Sequence, residues 1–378
     1  MSQAAQPILA GPTQPAPRRR FPLAVFALVV VVVLAIPGGA FAYAGNELSQ
    51  GRSLESQGKF AQALVAYQGA VTVAGNPVSR LLLADTANQA TVGIARTHFE
   101  WGEQAAQAGT YEDAQAQYTA AIGSDLADWV TTGNAALAKL FLSWGDSLVK
   151  AKHFSDGIDK YRQVANYDTP GVLRSKAEAA LATAYSGYAD QYSQAKPPDY
   201  PSALSWYQDL VKLYPTSAEA AQAKASGIPQ TLYSGALAYV SQQRYAQARD
   251  AMNETIKNYA ATPWAAKARA AMAAPQPLTG RLITQSGTPV GNRLLRISTK
   301  WVIVAPHTYD DYGGQHFSTT TDASGNFSLV VTPGQNYLVT WWDPSRGTFV
   351  TTFVNDTVPV NQITINPLEP EHANVEIA

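Results

Sequence analysis

The chain has 378 residues, of which 46% are hydrophobic and 15% are charged, and its formal net charge is −1. This composition is typical of globular domains, and the near-neutral balance argues against nucleic acid as a partner. The absence of cysteine excludes disulfide bonds, zinc–thiolate sites and thiol nucleophiles.

The N-terminal region has the pattern of a membrane protein. Residues 1–20 are uncharged up to Arg18-Arg19-Arg20, and they predict a disordered cytoplasmic tail. The run 21–44 carries no charged residue and is long enough to cross a bilayer as one helix. Because arginine stays on the inner side, we expect a single-pass protein with its later domains outside the cytoplasm. The alternative is a cleavable signal sequence cut near Ala42, which would release a secreted protein that begins at Tyr43.

One pattern recurs five times between residues 46 and 273. Each copy has an aromatic residue, a small residue three positions later and a large residue four positions after that. These offsets place the three side chains on one face of a helix, so the copies predict stacked helical units. The aromatic residues are Phe60, Tyr111, Phe154, Tyr200 and Tyr245; the small ones are Ala63, Ala114, Gly157, Ala203 and Ala248; the large ones are Tyr67, Tyr118, Tyr161, Tyr207 and Met252.

Three glycines extend the pattern upstream. Gly51, Gly102 and Gly145 stand twelve positions before the small residues of their units. With this spacing the region resembles tetratricopeptide (TPR) repeats, and its last two units resemble the longer repeats of bacterial envelope assembly lipoproteins. Successive aromatics lie more than 40 residues apart, against 34 in the family, which indicates lengthened first helices. The resemblance implies an α-solenoid over 46–273 that binds a protein or peptide without catalysis.

The helix boundaries follow from local signals. We expect a first helix over 46–57, a long helix over 78–108 and further helices that include 135–151. Proline restricts the residue before it, so the segment 226–229 predicts a break or a kink. We predict partner contacts from Arg96, Glu100 and Glu103, because they share the long helix but lie off its packing positions.

The period changes to two after residue 277, where eight short candidate strands predict an all-β sandwich over 278–378. This region resembles transthyretin-like domains related to carboxypeptidase regulatory modules. The matching residues are Gly280-Arg-Leu-Ile, Gly287 to Gly291, Thr321 to Phe327 and Pro333 to Tyr337. The resemblance implies a binding or spacing role. Pro275 and Pro277 predict a stiff hinge, after which the sandwich would cap the end of the solenoid.

Two candidate sites lie in the β region. His307, Asp310, Asp311 and His316 supply imidazoles and carboxylates that could hold a divalent metal. A solvated loop explains them better, because Gly313-Gly314 leaves the ligands unorganised, so no metal and no other cofactor is predicted. Trp341 and Trp342 could bind a glycan, or they could be packing residues. No catalytic motif is present in the sequence, which predicts a protein that is not an enzyme.

Overall fold

The computed structural model describes residues 23–75, 80–169, 171–310, 314–355 and 357–377, with side chains from residue 39. The tail predicted over 1–20 and the side chains of most of the apolar run 21–44 lie outside the described residues. Within the described part of the chain, no helix combines the length and the apolarity that a membrane crossing needs.

Helices occupy the chain up to Ala273. Their bounds are α1 Leu23–Ser56, α2 Phe60–Ala74, α3 Arg80–Ala108, α4 Tyr111–Ile122, α5 Ala127–Lys150, α6 Phe154–Tyr167, α7 Val172–Ser193, α8 Tyr200–Leu213, α9 Ala218–Gln222, α10 Ile228–Ser241, α11 Tyr245–Asn258 and α12 Pro263–Ala273. The five aromatic residues of the repeat are the first residues of α2, α4, α6, α8 and α11.

Three helix predictions differ from the structure. The first helix is not confined to 46–57, because α1 runs without interruption from Leu23. The helix expected over 135–151 begins at Ala127, one residue after Leu126. The break predicted over 226–229 does not occur, since a π-helical segment, Ala223–Gly227, leads directly into α10. The Ile228 N–H donates to the Ala223 carbonyl, five residues earlier, and a π-helical turn of this kind is a recognised cause of a helix kink.

The chain divides into two compact units. In the described residues, one unit comprises the chain up to Trp144 together with Gln163–Leu173. The other comprises Gly145–Arg162 together with the chain from Arg174. In the first unit α1 packs on α2, α2 on α3 and α3 on α4, and in the second unit α10 packs on α11 and α11 on α12.

The predicted repeat positions form the contacts inside the helical hairpins. All five small residues and all five large residues are buried. Tyr67 shows why the glycines are needed, because its ring lies between Gly51 of α1 and Gly93 of α3. A Cβ atom added to either glycine would stand 2.7 Å from that ring. Gly102 meets Tyr118 and Gly145 meets Tyr161 in the same way, at 2.8 and 2.5 Å. The glycines therefore let a bulky tyrosine fill the space between close helices.

The C-terminal region is a sandwich of two sheets, and two further strands, Val302–Ala305 and Thr308–Asp310, form a separate two-stranded sheet. Its strands are β1 Gln276–Thr284, β2 Leu294–Ser298, β3 Val302–Ala305, β4 Thr308–Asp310, β5 His316–Thr320, β6 Asn326–Val331, β7 Gln335–Asp343, β8 Thr348–Val350, β9 Gln362–Ile365 and β10 Glu371–Ile377. One sheet has the order β10-β1-β6, with β1 and β10 parallel. The other has the order β5-β2-β7-β8, with β9 also on β7. Side chains from both sheets share one core, which includes Leu278, Phe327, Ile297, Tyr337 and Ile365.

The stiff link predicted at Pro275–Pro277 overlaps the first strand of the sandwich. Residue 276 already belongs to β1, and the Gln276 side chain is buried, donating hydrogen bonds to the carbonyls of Asn366 and Glu369. The segment before β10 also contacts the terminal helices. Leu368 packs against the cluster built on α10, α11 and α12, and Arg249 of α11 pairs with Glu369 at 2.7 Å. Within the second unit, the sandwich thus covers apolar surface of the last helices.

Candidate functional site

The candidate site is a cavity of about 460 Å³ in the first unit, lined by three helices. Its walls are formed by Phe99, Glu103, Ala106 and Gln107 of α3, Tyr111 and Tyr118 of α4, and Thr132, Ala135, Ala136, Lys139, Leu140 and Ser143 of α5. The α3 residues follow one another at offsets of four and three, so they occupy one helix face. Three alanines supply little side-chain volume, which leaves room between α3 and α5.

Aromatic contacts hold the walls of this cavity. The ring of Phe99 lies 5.4 Å from that of Tyr118 and 5.6 Å from that of Trp129, measured between centroids. Tyr111 stacks on Trp144 at 5.7 Å. Tyr118 is also the large residue of its repeat, seated on Gly102. The packing that builds the hairpin therefore places aromatic surface in the cavity wall.

The cavity has one anionic and one cationic side chain, Glu103 and Lys139. Within the part of the chain that the structure describes, neither side chain forms a hydrogen bond or an ion pair. The pKa of the Tyr118 hydroxyl is raised to about 12. The larger cause is the burial of Tyr118, and the smaller is the nearby negative charge of Glu103. The site thus combines apolar walls with two charges that are available to a ligand.

Arg96, predicted to bind a partner, forms hydrogen bonds inside the protein, and partner binding by its exposed part stays a prediction. Its Nε donates to Glu55 Oε1 at 2.9 Å and its Nη2 donates to Glu55 Oε2. The buried Glu55 carboxylate also accepts from the Tyr67 hydroxyl at 2.8 Å and the Thr97 hydroxyl at 2.9 Å. Burial opposes ionisation of Glu55, but these hydrogen bonds outweigh it and hold its pKa below the ordinary value. Arg96 is therefore part of the contact between α1, α2 and α3.

The two acidic residues of that prediction have different surroundings. Glu103 lies in the cavity wall, as described above. Glu100 is half exposed beside Arg96, with 3.9 Å between carboxylate and guanidinium. Burial, followed by repulsion from Glu55, raises the pKa of Glu100, Arg96 lowers it, and Glu103 adds a smaller repulsion. The α3 helix therefore presents two carboxylates whose charges interact, and partner binding by them stays a prediction.

Three of the four candidate metal ligands are described, His307, Asp310 and His316, and they do not form a metal site. Among the described residues, no group of three or more potential ligating side chains could hold a metal ion. His307 lies at the turn between β3 and β4, where its ring meets Phe353 edge to face at 5.4 Å. His316 begins β5, which pairs with β2 in the larger sheet. Asp310 ends β4, and Asp311 lies outside the described residues. The reason is the strand arrangement, since His307 and Asp310 belong to the β3–β4 hairpin, whereas His316 begins a strand of the larger sheet.

The tryptophan pair divides between core and surface, as the alternation of a strand requires. Trp341 is buried in the sandwich core. Trp342 is 37% exposed and meets Phe349 edge to face at 5.3 Å. The Arg296 guanidinium lies 4.1 Å from the centre of the Phe349 ring. These three side chains form an exposed aromatic patch on β2, β7 and β8.

Comparison with known proteins gives structural neighbours only. No family model and no curated protein sequence matches the chain. The chain is similar to YrrB, described as a TPR protein with an unusual peptide-binding site, at 14% identity over 59% of this chain and 90% of that one, with a TM-score of 0.17. It is also similar to the C-terminal part of a TPR repeat-containing protein from Cytophaga hutchinsonii, at 13% identity over 58% and 98%, with a TM-score of 0.20.

A third structural neighbour is the yeast histone chaperone Hif1, described as a scaffold protein. The identity is 13%, over 59% of this chain and 98% of that one, with a TM-score of 0.19. At such TM-scores the likeness adds nothing to the coordinates. The description of the helical hairpins therefore rests on the contacts of this chain itself.

Sequence reasoning missed two functional features of the first unit. Lys139 and Gln107 line the cavity, yet neither belongs to the repeat pattern. The sequence does contain a feature that could have drawn attention to Lys139. It is the only charged residue in the largely apolar stretch from Leu137 to Trp144, where the only other polar residue is Ser143. Glu55 was missed because its partner Arg96 lies 41 residues away in the sequence.

Proposed function

We propose that the chain is a non-catalytic scaffold that binds a protein partner through the cavity between α3, α4 and α5. One observation carries this proposal: an open cavity in which apolar walls surround a carboxylate and an ammonium group that have no described partner in the protein. Its volume falls in the range of about 300–1,000 Å³ common for ligand sites.

The test blocks the cavity and measures partner capture. We expect Ala136→Trp to fill the cavity and to abolish cross-linking between the full chain and its partner in native membranes. The matched control is Ala120→Trp on the exposed side of α4, which should leave cross-linking unchanged. Equal cross-linking by both variants would place partner binding elsewhere on the molecule.

We also propose that residues 21–44 anchor the protein in a membrane, with the helical and β regions on the outer side. The support is the uncharged run of the sequence behind three arginines. Mass spectrometry of the native protein tests the retained anchor, because a mature N-terminus at Tyr43 would identify a cleaved signal sequence. Protease added to intact cells should digest the region beyond residue 46 if the orientation is correct.

A second candidate function is glycan binding by the sandwich. The observation that favours it is the half-exposed Trp342, since an exposed indole suits the face of a sugar ring. Retention on peptidoglycan or on common polysaccharides should fall when Trp342 is changed to Ala. Unchanged retention of that variant, or no retention of the parent chain, would exclude this function for Trp342.

A further inference from the structure

We infer that the cavity takes a peptide segment carrying one lysine or arginine side chain, whose cation pairs with Glu103. This inference rests on the proposed function, which it deepens by naming the chemistry of the occupant. Three properties of the wall lead to it: the charge on α3, the aromatic surface and the presence of a second, positive side chain, Lys139 of α5.

The first step is the charge on α3. Glu103 lies in the cavity wall without a described protein partner, and Glu100 stands one turn before it on the same helix. The pKa of Glu100 is raised by burial, by Glu55 and, to a smaller extent, by Glu103, which means that the two α3 carboxylates sense each other. A guest cation relieves that repulsion, whereas a guest carboxylate adds to it. A cationic side chain is therefore the favoured partner for this wall.

The second step is the aromatic and apolar surface. Phe99, Tyr111 and Tyr118 all line the cavity. The negative face of an aromatic ring attracts an ammonium or guanidinium group within about 6 Å. Lysine and arginine also carry apolar stems, which can pack on Ala106 and Leu140 while the charged end reaches Glu103. An inorganic cation has no such stem and would leave these apolar walls uncovered.

The third step limits the occupant to one cation. Lys139 of α5 lies in the same cavity and would repel a second positive side chain. The Lys139 ammonium group can donate hydrogen bonds to a backbone carbonyl or to an acidic side chain of the peptide, since it has three donors. The cavity therefore fits a segment in which a single basic residue is flanked by apolar or acidic residues, and it disfavours polybasic tracts.

The experiment selects random heptapeptides displayed on phage against the full chain in detergent. We expect peptides with one lysine or arginine to be enriched on the parent chain relative to the Ala136→Trp variant. A synthetic enriched peptide should bind at least tenfold more weakly to Glu103→Gln by fluorescence anisotropy. Replacing its basic residue by norleucine should weaken binding to the parent chain by a similar factor. The matched control is Glu112→Gln, an exposed change on α4 that should alter affinity less than twofold.

The outcomes separate the two proposals. Enriched peptides that lack a basic residue, and that bind Glu103→Gln as tightly as the parent chain, would overturn the inference and leave cavity-dependent peptide binding in place. Equal enrichment on the parent chain and on Ala136→Trp would overturn the proposed function as well. Melting temperatures of all variants, measured in parallel, should agree within a few degrees, so that loss of folding is recognised directly. The affinity of Nα-acetyl-lysine methylamide, a lysine without a peptide around it, is measured in the same way. If this compound binds as tightly as the peptide, the occupant is a small organic cation and the inference is overturned.

Discussion

The Glu55–Arg96 pair allows a sharp test of how the first helical hairpin is held to α3. Changing Arg96 to Leu keeps much of the apolar stem but removes both donors from the Glu55 carboxylate. Tyr67 and Thr97 still donate to it, so the carboxylate keeps two hydrogen bonds and loses its only described opposite charge.

The expected cost follows from burial. Removing one partner of a buried ion pair costs about 3–5 kcal/mol, because the remaining charge is left uncompensated. Glu55 has only 6% of its side chain exposed, but the Arg96 side chain is 38% exposed and water screens that side of the pair. We therefore expect Arg96→Leu to lower the free energy of unfolding by about 2–3 kcal/mol at pH 7. Arg52→Leu, a change at an exposed arginine that bonds Gln89, should cost about 0.5 kcal/mol or less.

The pH dependence gives a second readout with a definite sign. In the parent chain the pKa of Glu55 is lowered, so its contribution is present above the unfolded pKa and is lost as pH falls through the folded one. In Arg96→Leu burial is no longer outweighed, and we expect the pKa of Glu55 to rise above its ordinary value. That variant gains stability from Glu55 as pH falls. The difference between the two proteins should therefore shrink between pH 7 and about 4.

Urea unfolding followed by circular dichroism at 222 nm measures both effects. The variant Glu55→Gln with Arg96→Leu is the control, because it removes the carboxylate along with its partner and should be more stable than Arg96→Leu alone. A stability loss under about 0.5 kcal/mol for Arg96→Leu would contradict the argument, since that is the effect of an ordinary surface change. So would a loss of full size that does not vary with pH.

Four further outcomes are expected. Gly93→Ala should destabilise the first unit by about 1–3 kcal/mol in urea unfolding, because its Cβ would stand 2.7 Å from the ring of Tyr67. Gly69→Ala, whose nearest contact is a flexible side chain at 3.4 Å, should be neutral or stabilising by up to about 1 kcal/mol. Leu368→Ala should lower the melting temperature of the helical signal by a few degrees, whereas an unchanged value would mean that its contact with the terminal helices adds no stability. In alkaline titration followed near 295 nm, Tyr118 should ionise only near pH 12. Because its pKa is raised in the folded protein, the stability that Tyr118 contributes should be lost as pH rises from about 10 to about 12. Ionisation near pH 10 would contradict its burial beside Glu103.

Much of the fold follows from local chemistry. The offsets of three and four between Phe60, Ala63 and Tyr67 already define a helix face, and the structure begins α2 at Phe60 itself. Alternation in the C-terminal region likewise separates the buried Trp341 from the exposed Trp342. At Pro229 the local rule predicts a break in the helix, but a π-helical turn before the proline keeps the chain helical. The same turn places Gly227 against the ring of Tyr207, where a Cβ atom added to Gly227 would stand 2.8 Å from the ring.

By itself, the sequence determined which side chains lie on the same face of each helix and strand, since that depends only on backbone periodicity. The spacing of Gly51, Gly102 and Gly145 is likewise visible in the sequence, but the tyrosine rings against Gly93 and Gly227 are not. Only the tertiary structure decided that Arg96 pairs with a buried carboxylate, and that Gln276 is buried in β1. Only the tertiary structure brought Lys139 and Glu103 into the lining of one cavity. These outcomes join residues that are tens of positions apart, and their energies depend on burial and distance, which no local pattern of residues encodes.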